Sequence, residues 1–221
     1  MYERWGKRAV DAAGAALMLV LLSPVLAVVA LAVLLALGRP VLFRQVRAGR
    51  GGRPFVLLKF RSMAAGPGED AARLGRFGRA LRASALDELP QLVNVLRGEM
   101  SLVGPRPLPP DYVALYTGRQ ALRLRARPGL AGLAQAAGRN AVPWRRRLAL
   151  DARYAGRPAR FAVDAAIGLR CLGVVLRGRG TSAPGHATMP AFGGTACGAE
   201  AADRTQGGPS RVEAPQRMAG A

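Results

Sequence analysis

The sequence predicts an α+β chain, mostly helical, that enters a membrane near its N-terminus and carries a small β-hairpin. Three observations point there. One is a long uncharged apolar run close to the start. Another is a pair of strand-like segments joined by a glycine-rich turn. The third is a series of later stretches with apolar residues at helical spacing and arginines between them. Half of the 221 residues are hydrophobic, which excludes global disorder. Lys and Arg total 33 against 13 Asp and Glu, a formal charge of +20, so a polyanionic or phosphorylated partner is expected. Only Lys7 and Lys59 are lysine, and so strong an arginine skew also fits genomic composition.

The apolar run, from Ala12 to Leu37, holds no charge and exceeds the roughly 20 residues a bilayer core requires. It is too long for the hydrophobic part of a signal peptide and lacks a clear small-x-small cleavage site. Ser23-Pro24 falls near its middle, where proline removes a backbone donor and kinks a helix. Basic residues flank both ends, Arg4, Lys7 and Arg8 before it and Arg39, Arg44, Arg47, Arg50 and Arg53 after it, and basic flanks favour the cytoplasmic face. On these residues a bent re-entrant hairpin and an ordinary kinked spanning helix fit equally well.

Next, VLFRQVR and PFVLLKFRSM read as two strands linked by AGRGGR, a turn rather than a phosphate loop, because no helix follows it. Residues 64–70 read as loop. Residues 71–82 read as a helix with Arg73, Arg76 and Arg79 on one face, suited to anionic headgroups. Ser84 with Asp87 has capping-box spacing for a helix that carries Leu89, Leu92, Val93 and Leu96 and stops at Gly98. Pro90 should distort its early turns. The proline-rich 101–110 predicts an extended rigid connection, and Tyr112 to Arg127 a basic helix. Residues 127–140 predict a turn, a short strand and a loop. Trp144–Tyr154 and Phe161–Leu176 predict helices, the second interfacial. The Gly/Ala/Pro/Ser-rich 178–221 predicts a disordered tail.

Two counts restrict the chemistry. The only histidine, His186, lies in that tail, which argues against Ser-His-Asp, Cys-His and zinc chemistry. Cys171 and Cys197 make no disulfide framework, so a reducing, cytosol-facing setting is expected. Carboxylates, arginines, hydroxyls and a metal on oxygen ligands remain. Adjacent acids occur at Glu69-Asp70 and at Asp87-Glu88. The second pair, near Arg82, Arg97 and Arg106, suits three roles: helix capping, a divalent metal beside a diphosphate, or nucleophilic attack on phosphorus. Arg106, between Pro105 and Pro107, suits a fixed fork for phosphate or an ordinary salt bridge.

Six blocks, KRAVD (7–11), Ser23-Pro24, PVLFRQVRAG (40–49), LLKFRSM (57–63), LDELPQLVNVLRGEMSLVGPRP (86–107) and RPGLAGLAQAAGRN (127–140), together resemble the bacterial sugar transferase family, over about residues 5–177. These are small monotopic phosphoglycosyl transferases that prime polysaccharide and glycoconjugate assembly. The resemblance implies a membrane unit at 1–39 and a catalytic unit at 40–177, ahead of the tail that composition predicts at 178–221. It implies a re-entrant helix broken at Ser23-Pro24, and a cytosolic face built of interfacial and amphipathic helices at the inner membrane. It also implies transfer of a phosphosugar from a UDP-sugar to undecaprenyl phosphate, releasing UMP. Asp87 would be the nucleophile, forming a covalent phosphosugar intermediate, and Glu88 its support. Mg²⁺ would be the cofactor, on Asp87 and Glu88. Lys59, Arg61, Arg106, Arg139 and Asn140, basic or polar residues in matching blocks, are expected to contact phosphate or nucleotide. Anionic lipids are expected partners, and there is room for a homodimer.

Two features depart from the family pattern. The stretch 64–79 is shorter and richer in Ala and Gly, and the tail matches nothing. A membrane-anchored, non-catalytic nucleic-acid or phospholipid binder is the alternative, weakened by low aromatic content and the lack of a nucleic-acid-binding motif, so nucleic acid is not an expected partner. An aspartyl-phosphate phosphatase is a third reading.

Overall fold

The computed structural model describes residues 2–67, 70–178, 180, 189 and 191–194. Helix α1 (Lys7–Leu21) and helix α2 (Ser23–Leu37) meet at Leu22 with a bend of 64°. The break follows from Pro24, whose missing N–H would have bonded the Val20 carbonyl and whose ring crowds it. The Ser23 hydroxyl donates to that carbonyl instead, at 2.8 Å. Among the described residues no single helix is long and apolar enough to cross a membrane, whereas the bent pair passes by length and composition.

The polar start of α1 is tied to the rest of the molecule. Lys7 pairs with Asp164 at 2.7 Å, Arg8 donates to the Val95 and Leu96 carbonyls, and Asp11 accepts from the Leu102 N–H at 3.0 Å. The KRAVD block is therefore a fastening. One face of α1 contributes Ala15 to a core with Phe55, Leu57, Leu92, Val95 and Met100. Along α2, Val29 and Val33 pack on Phe60 and Leu81. Leu17, Val20, Leu21, Val28, Leu31 and Leu35 remain exposed on the bent pair.

Strands β1 (Leu42–Ala48) and β2 (Pro54–Phe60) form the expected antiparallel hairpin, in register from Leu42 opposite Phe60 to Ala48 opposite Pro54. The turn places Gly51 and Gly52 at positive φ, which glycine adopts without a steric penalty. The expected helix over 71–82 is instead two, α3 (Asp70–Arg73) and α4 (Arg76–Ala83), separated at Leu74-Gly75.

Ser84 does not cap the following helix. It closes α4, its hydroxyl donating to the Leu81 carbonyl at 3.0 Å. Ala85 then takes a left-handed φ of 57°, and Leu86–Glu88 form a 3₁₀ turn. Helix α5 (Gln91–Arg97) starts only after Pro90, which stands at its N-terminal boundary, so the turns expected to be distorted lie outside the helix, and it ends at Gly98 as expected. The link after α5 is not merely extended. Strand β3 (Ser101–Val103) pairs in parallel with β4 (Gly129–Ala131).

The helix expected over 112–127 is two 3₁₀ segments, Pro110–Leu115 and Leu122–Arg125, around a short α6 (Gly118–Ala121). A capping box between Thr117 and Gln120 starts α6. Helix α7 (Leu133–Ala136), α8 (Trp144–Ala155) and α9 (Phe161–Leu176) follow, and α9 exposes Phe161, Leu169, Leu172 and Leu176. Most of the predicted disordered tail, with His186 and Cys197, lies outside the described residues. Its described part departs from that expectation: Phe192 is buried with Leu108 and Leu148 against Tyr112, Tyr116 and Trp144.

Candidate active site

Inside the hairpin, cross-strand partners share a face, so Lys59 stands beside its partner Phe43, and Arg47 lies four residues along on the same side. Opposite them, the left-handed Ala85 turns the chain so that Asp87 and Glu88 point at this face. The parallel pair of β3 and β4 carries the next loop in. Gly104 N–H bonds the Ala131 carbonyl at 2.8 Å, and Gly129 N–H bonds the Pro105 carbonyl at 2.9 Å, which fixes Arg106 between its two prolines. Buried Arg123, paired with Asp151 at 2.8 Å, donates to the Arg106 carbonyl and holds that loop from behind.

These elements enclose a cavity of about 280 Å³. Arg47, Lys59, Arg82, Arg106, Arg139 and Arg147 line it, against the carboxylates Asp87 and Glu88. Six cations facing two acids make a site for converging phosphates. A larger cavity, about 830 Å³, lies between α8, α9 and Lys7 and is mainly apolar. Of its two carboxylates, Asp164 is engaged by Lys7, Tyr2 and Tyr154, and Asp11 accepts from the Leu102 N–H through Oδ1 while its buried Oδ2 has no partner among the described residues; the smaller cavity, which holds the adjacent pair Asp87 and Glu88, is the candidate site.

The two carboxylates differ in state. Asp87 is 4% exposed and accepts no hydrogen bond among the described residues. Burial, then the neighbouring Glu88 charge, push its pKa up to about 6, against the pull of Lys59, Arg82 and Arg106. Burial also opposes ionisation of Glu88. The Arg106 guanidinium, bonded to it at 2.6 and 3.3 Å, outweighs that and holds Glu88 below the usual carboxylate range. Arg106 is raised in return, first by Glu88. Burial, then repulsion from Arg106, bring Arg47 and Arg147 down to about 10, so both stay charged at neutral pH. Burial likewise lowers Lys59. Glu88 thus fixes a guanidinium fork while Asp87 is left ungripped, facing the cavity.

Of the residues expected from sequence, Asp87, Glu88, Lys59, Arg106, Arg139 and Asn140 meet at this cavity. Arg139 also donates to the Arg82 and Ala83 carbonyls at the end of α4. Arg61 is not brought there. Its guanidinium donates to the carbonyls of Leu37, Gly38 and Arg39 at the end of α2, a C-terminal cap where a phosphate contact was expected. Arg97 does not line the cavity either. Sequence reasoning missed Arg47, Arg147, Tyr112 and Trp144 as lining. For Arg47 the signal was its strand parity with Phe43, opposite Lys59.

For a metal, no group of three or more His, Cys, Asp or Glu gathers among the described residues. Asp87 and Glu88 therefore offer no all-protein cage. They fit an ion that completes its shell with substrate phosphates and water, the usual manner of Mg²⁺.

The family of bacterial sugar transferases matches residues 2–178. The chain is 41% identical over 197 residues to the uncharacterized sugar transferase EpsL of Bacillus subtilis, covering 86% of this chain and 96% of that one. It is 35% identical over 198 residues to the exopolysaccharide production protein ExoY of Rhizobium meliloti, covering 79% and 87%. It is 50% identical over 143 residues to the UDP-glucose:undecaprenyl-phosphate glucose-1-phosphate transferase of Caulobacter vibrioides, covering 60% of this chain and 54% of that protein. With the family matched along most of its length, the chain belongs to the bacterial sugar transferases.

Proposed function

We propose that the chain transfers a phosphosugar from a UDP-sugar to polyprenyl phosphate at the cytoplasmic face of the inner membrane, a priming step in exopolysaccharide assembly. As a member of its family it is a phosphoglycosyl transferase. The observation that carries the detailed reading is Asp87, a buried carboxylate without a hydrogen bond in a cavity with six cations.

An Asp87 oxygen attacks the phosphorus that bears the sugar. The bond from that phosphorus to the oxygen bridging the two phosphates breaks, and UMP leaves with the electron pair. A phosphate oxygen of the polyprenyl acceptor then attacks the same phosphorus. The Asp87–phosphorus bond breaks and the carboxylate is restored. No histidine is required, and no net proton is stored. With a pKa of about 6, Asp87 is mostly ionised at neutral pH, yet burial has stripped its hydration. Glu88 orients Arg106, which with Lys59, Arg47 and Arg147 meets the charge of the phosphates. Bound Mg²⁺, on Asp87 and Glu88 with phosphate oxygens, would supply further charge neutralisation. The bent α1–α2 pair, with its exposed apolar side chains, would enter and leave the bilayer on one side, placing the cavity at the level of the acceptor's phosphate.

The test is UMP release by detergent- or nanodisc-held protein with a panel of UDP-sugars, undecaprenyl phosphate and Mg²⁺. The reading expects UMP with one sugar donor, and a loss of at least about 10³-fold in Asp87→Asn. UMP at the wild-type rate from that variant contradicts it. Free phosphate without sugar transfer would favour a phosphatase.

A further inference from the structure

Phe192 is 4% exposed although it lies in a stretch of glycine, alanine and small polar residues with no helical or strand periodicity. Its ring sits 5.4 Å from Trp144, 5.6 Å from Tyr112 and 6.1 Å from Tyr116, centre to centre. Its N–H donates to the Tyr112 hydroxyl at 3.0 Å. Trp144 and Tyr112 also line the phosphate cavity, as does Met189, three residues before Phe192. The Arg147 guanidinium lies 5.0 Å over the Trp144 ring and reaches Met189 Sδ at 3.7 Å. One aromatic ring thus fills an aromatic box whose walls are shared with a cationic cavity.

That arrangement has the shape of a nucleotide site: a planar group between aromatic rings, with cations beside it for the phosphates. The cavity as it stands, about 280 Å³, falls at or below the low end of small-ligand sites, roughly 300–1,000 Å³. A nucleoside diphosphate sugar needs more room, and the space behind Trp144 and Tyr112 is where Phe192 sits. We propose that the box of Tyr112, Tyr116 and Trp144 is the nucleobase subsite of the donor, and that Phe192 is an internal occupant which the nucleotide must displace. The proposal rests on the transferase reading above and adds to it a self-competition built into this chain's own C-terminal stretch.

Apparent affinity falls by the fraction of molecules whose site is open. If Phe192 occupies the box about nine-tenths of the time, its removal tightens nucleotide binding about tenfold. The probe is UMP, titrated against the full-length chain in detergent, with a Trp5→Phe background so that emission reports Trp144. Phe192→Ala is expected to bind UMP about tenfold tighter, with Trp144 emission changing on binding. Tyr112→Phe keeps the ring but removes the acceptor for the Phe192 N–H. It is expected to bind UMP about two- to threefold tighter, which guards against misfolding of the first variant. Equal or weaker binding in both variants overturns the proposal and makes Phe192 a fixed wall. Tighter binding without a Trp144 response overturns the assignment of the box. Absence of UMP binding in wild type and variants alike would defeat the transferase reading itself.

Discussion

Asp87 and Glu88 are adjacent in sequence and opposite in condition. Glu88 is locked to Arg106, and its charge is favoured by the fold. Asp87 is buried without a hydrogen bond, and its charge is disfavoured, so its pKa rises from 3.8 to about 6. The stability consequence has a definite sign. Between these values the folded chain holds a proton that the unfolded chain has lost, so stability falls as pH rises through about 6. Asp87→Asn removes that cost. In Mg²⁺-free buffer the variant is expected to melt above wild type at pH 7.5, by up to ~2–3 kcal/mol, and to match it near pH 4. Thermal melts across pH check this. A variant less stable than wild type at pH 7.5 would contradict the unfavourable burial of the charge. Loss of turnover together with a gain in stability is the signature of a strained functional residue.

Individual residues were legible to different depths. The acid pair was found from adjacency and from its family block. Arg61 was misread because a guanidinium in a basic block looks the same whether it meets a phosphate or three carbonyls at a helix end. Phe192 was overlooked because a Gly/Ala/Pro/Ser-rich composition says nothing of one aromatic side chain that finds a pocket.

At the scale of elements, long periodic segments were readable, and short ones were not. The hairpin, α8 and α9 follow from alternation and helical spacing. The helix begun at Ser84 failed because the same spacing served a different geometry: Ser84 closes α4, and a 3₁₀ turn follows. Strand β3 was hidden because a three-residue parallel strand has too few residues for a pattern, and its partner lies 28 positions away in sequence. That small sheet nevertheless positions Arg106. A Cβ on Gly129 would lie 2.0 Å from the Gly104 nitrogen, a clash of backbone with no flexible atom to yield. Gly129→Ala is therefore expected to destabilise by ~1–3 kcal/mol and to lower kcat by about tenfold or more by displacing the Arg106 loop. Gly118→Ala, where the added Cβ meets nothing within 4 Å, is the control and should change neither. Melting and steady-state UMP release measure both effects. Equal kcat in the two variants would detach the small sheet from catalysis.

Over the whole molecule, the bent pair presents an apolar exterior, and the start of α1 is fastened to α5, β3 and α9. The sequence left a spanning helix and a re-entrant one equally open. The 64° bend at Leu22 fits a broken span as well as a re-entrant pair; the proposed function takes the second, which predicts that both ends of the pair lie on the same side. Single cysteines at Trp5 and at Arg44, in a cysteine-free background, should label together from the cytoplasmic side of oriented vesicles with a membrane-impermeant maleimide. Labelling from opposite sides would make the pair a span and move the cavity's relation to the acceptor. With both ends on one face, a soluble donor and a lipid-borne acceptor could reach one cavity in turn, as the proposed double displacement through Asp87 requires.

The most direct test of that carboxylate is a single-turnover mixture of the protein, its UDP-sugar and Mg²⁺ with the polyprenyl acceptor left out. The account predicts a burst of UMP of at most one equivalent per active site and a phosphosugar adduct on the peptide that contains Asp87, both absent in Asp87→Asn. The adduct should disappear when acceptor is added. Full turnover with acceptor, but neither burst nor adduct without it, would show direct transfer between the two substrates and contradict the account.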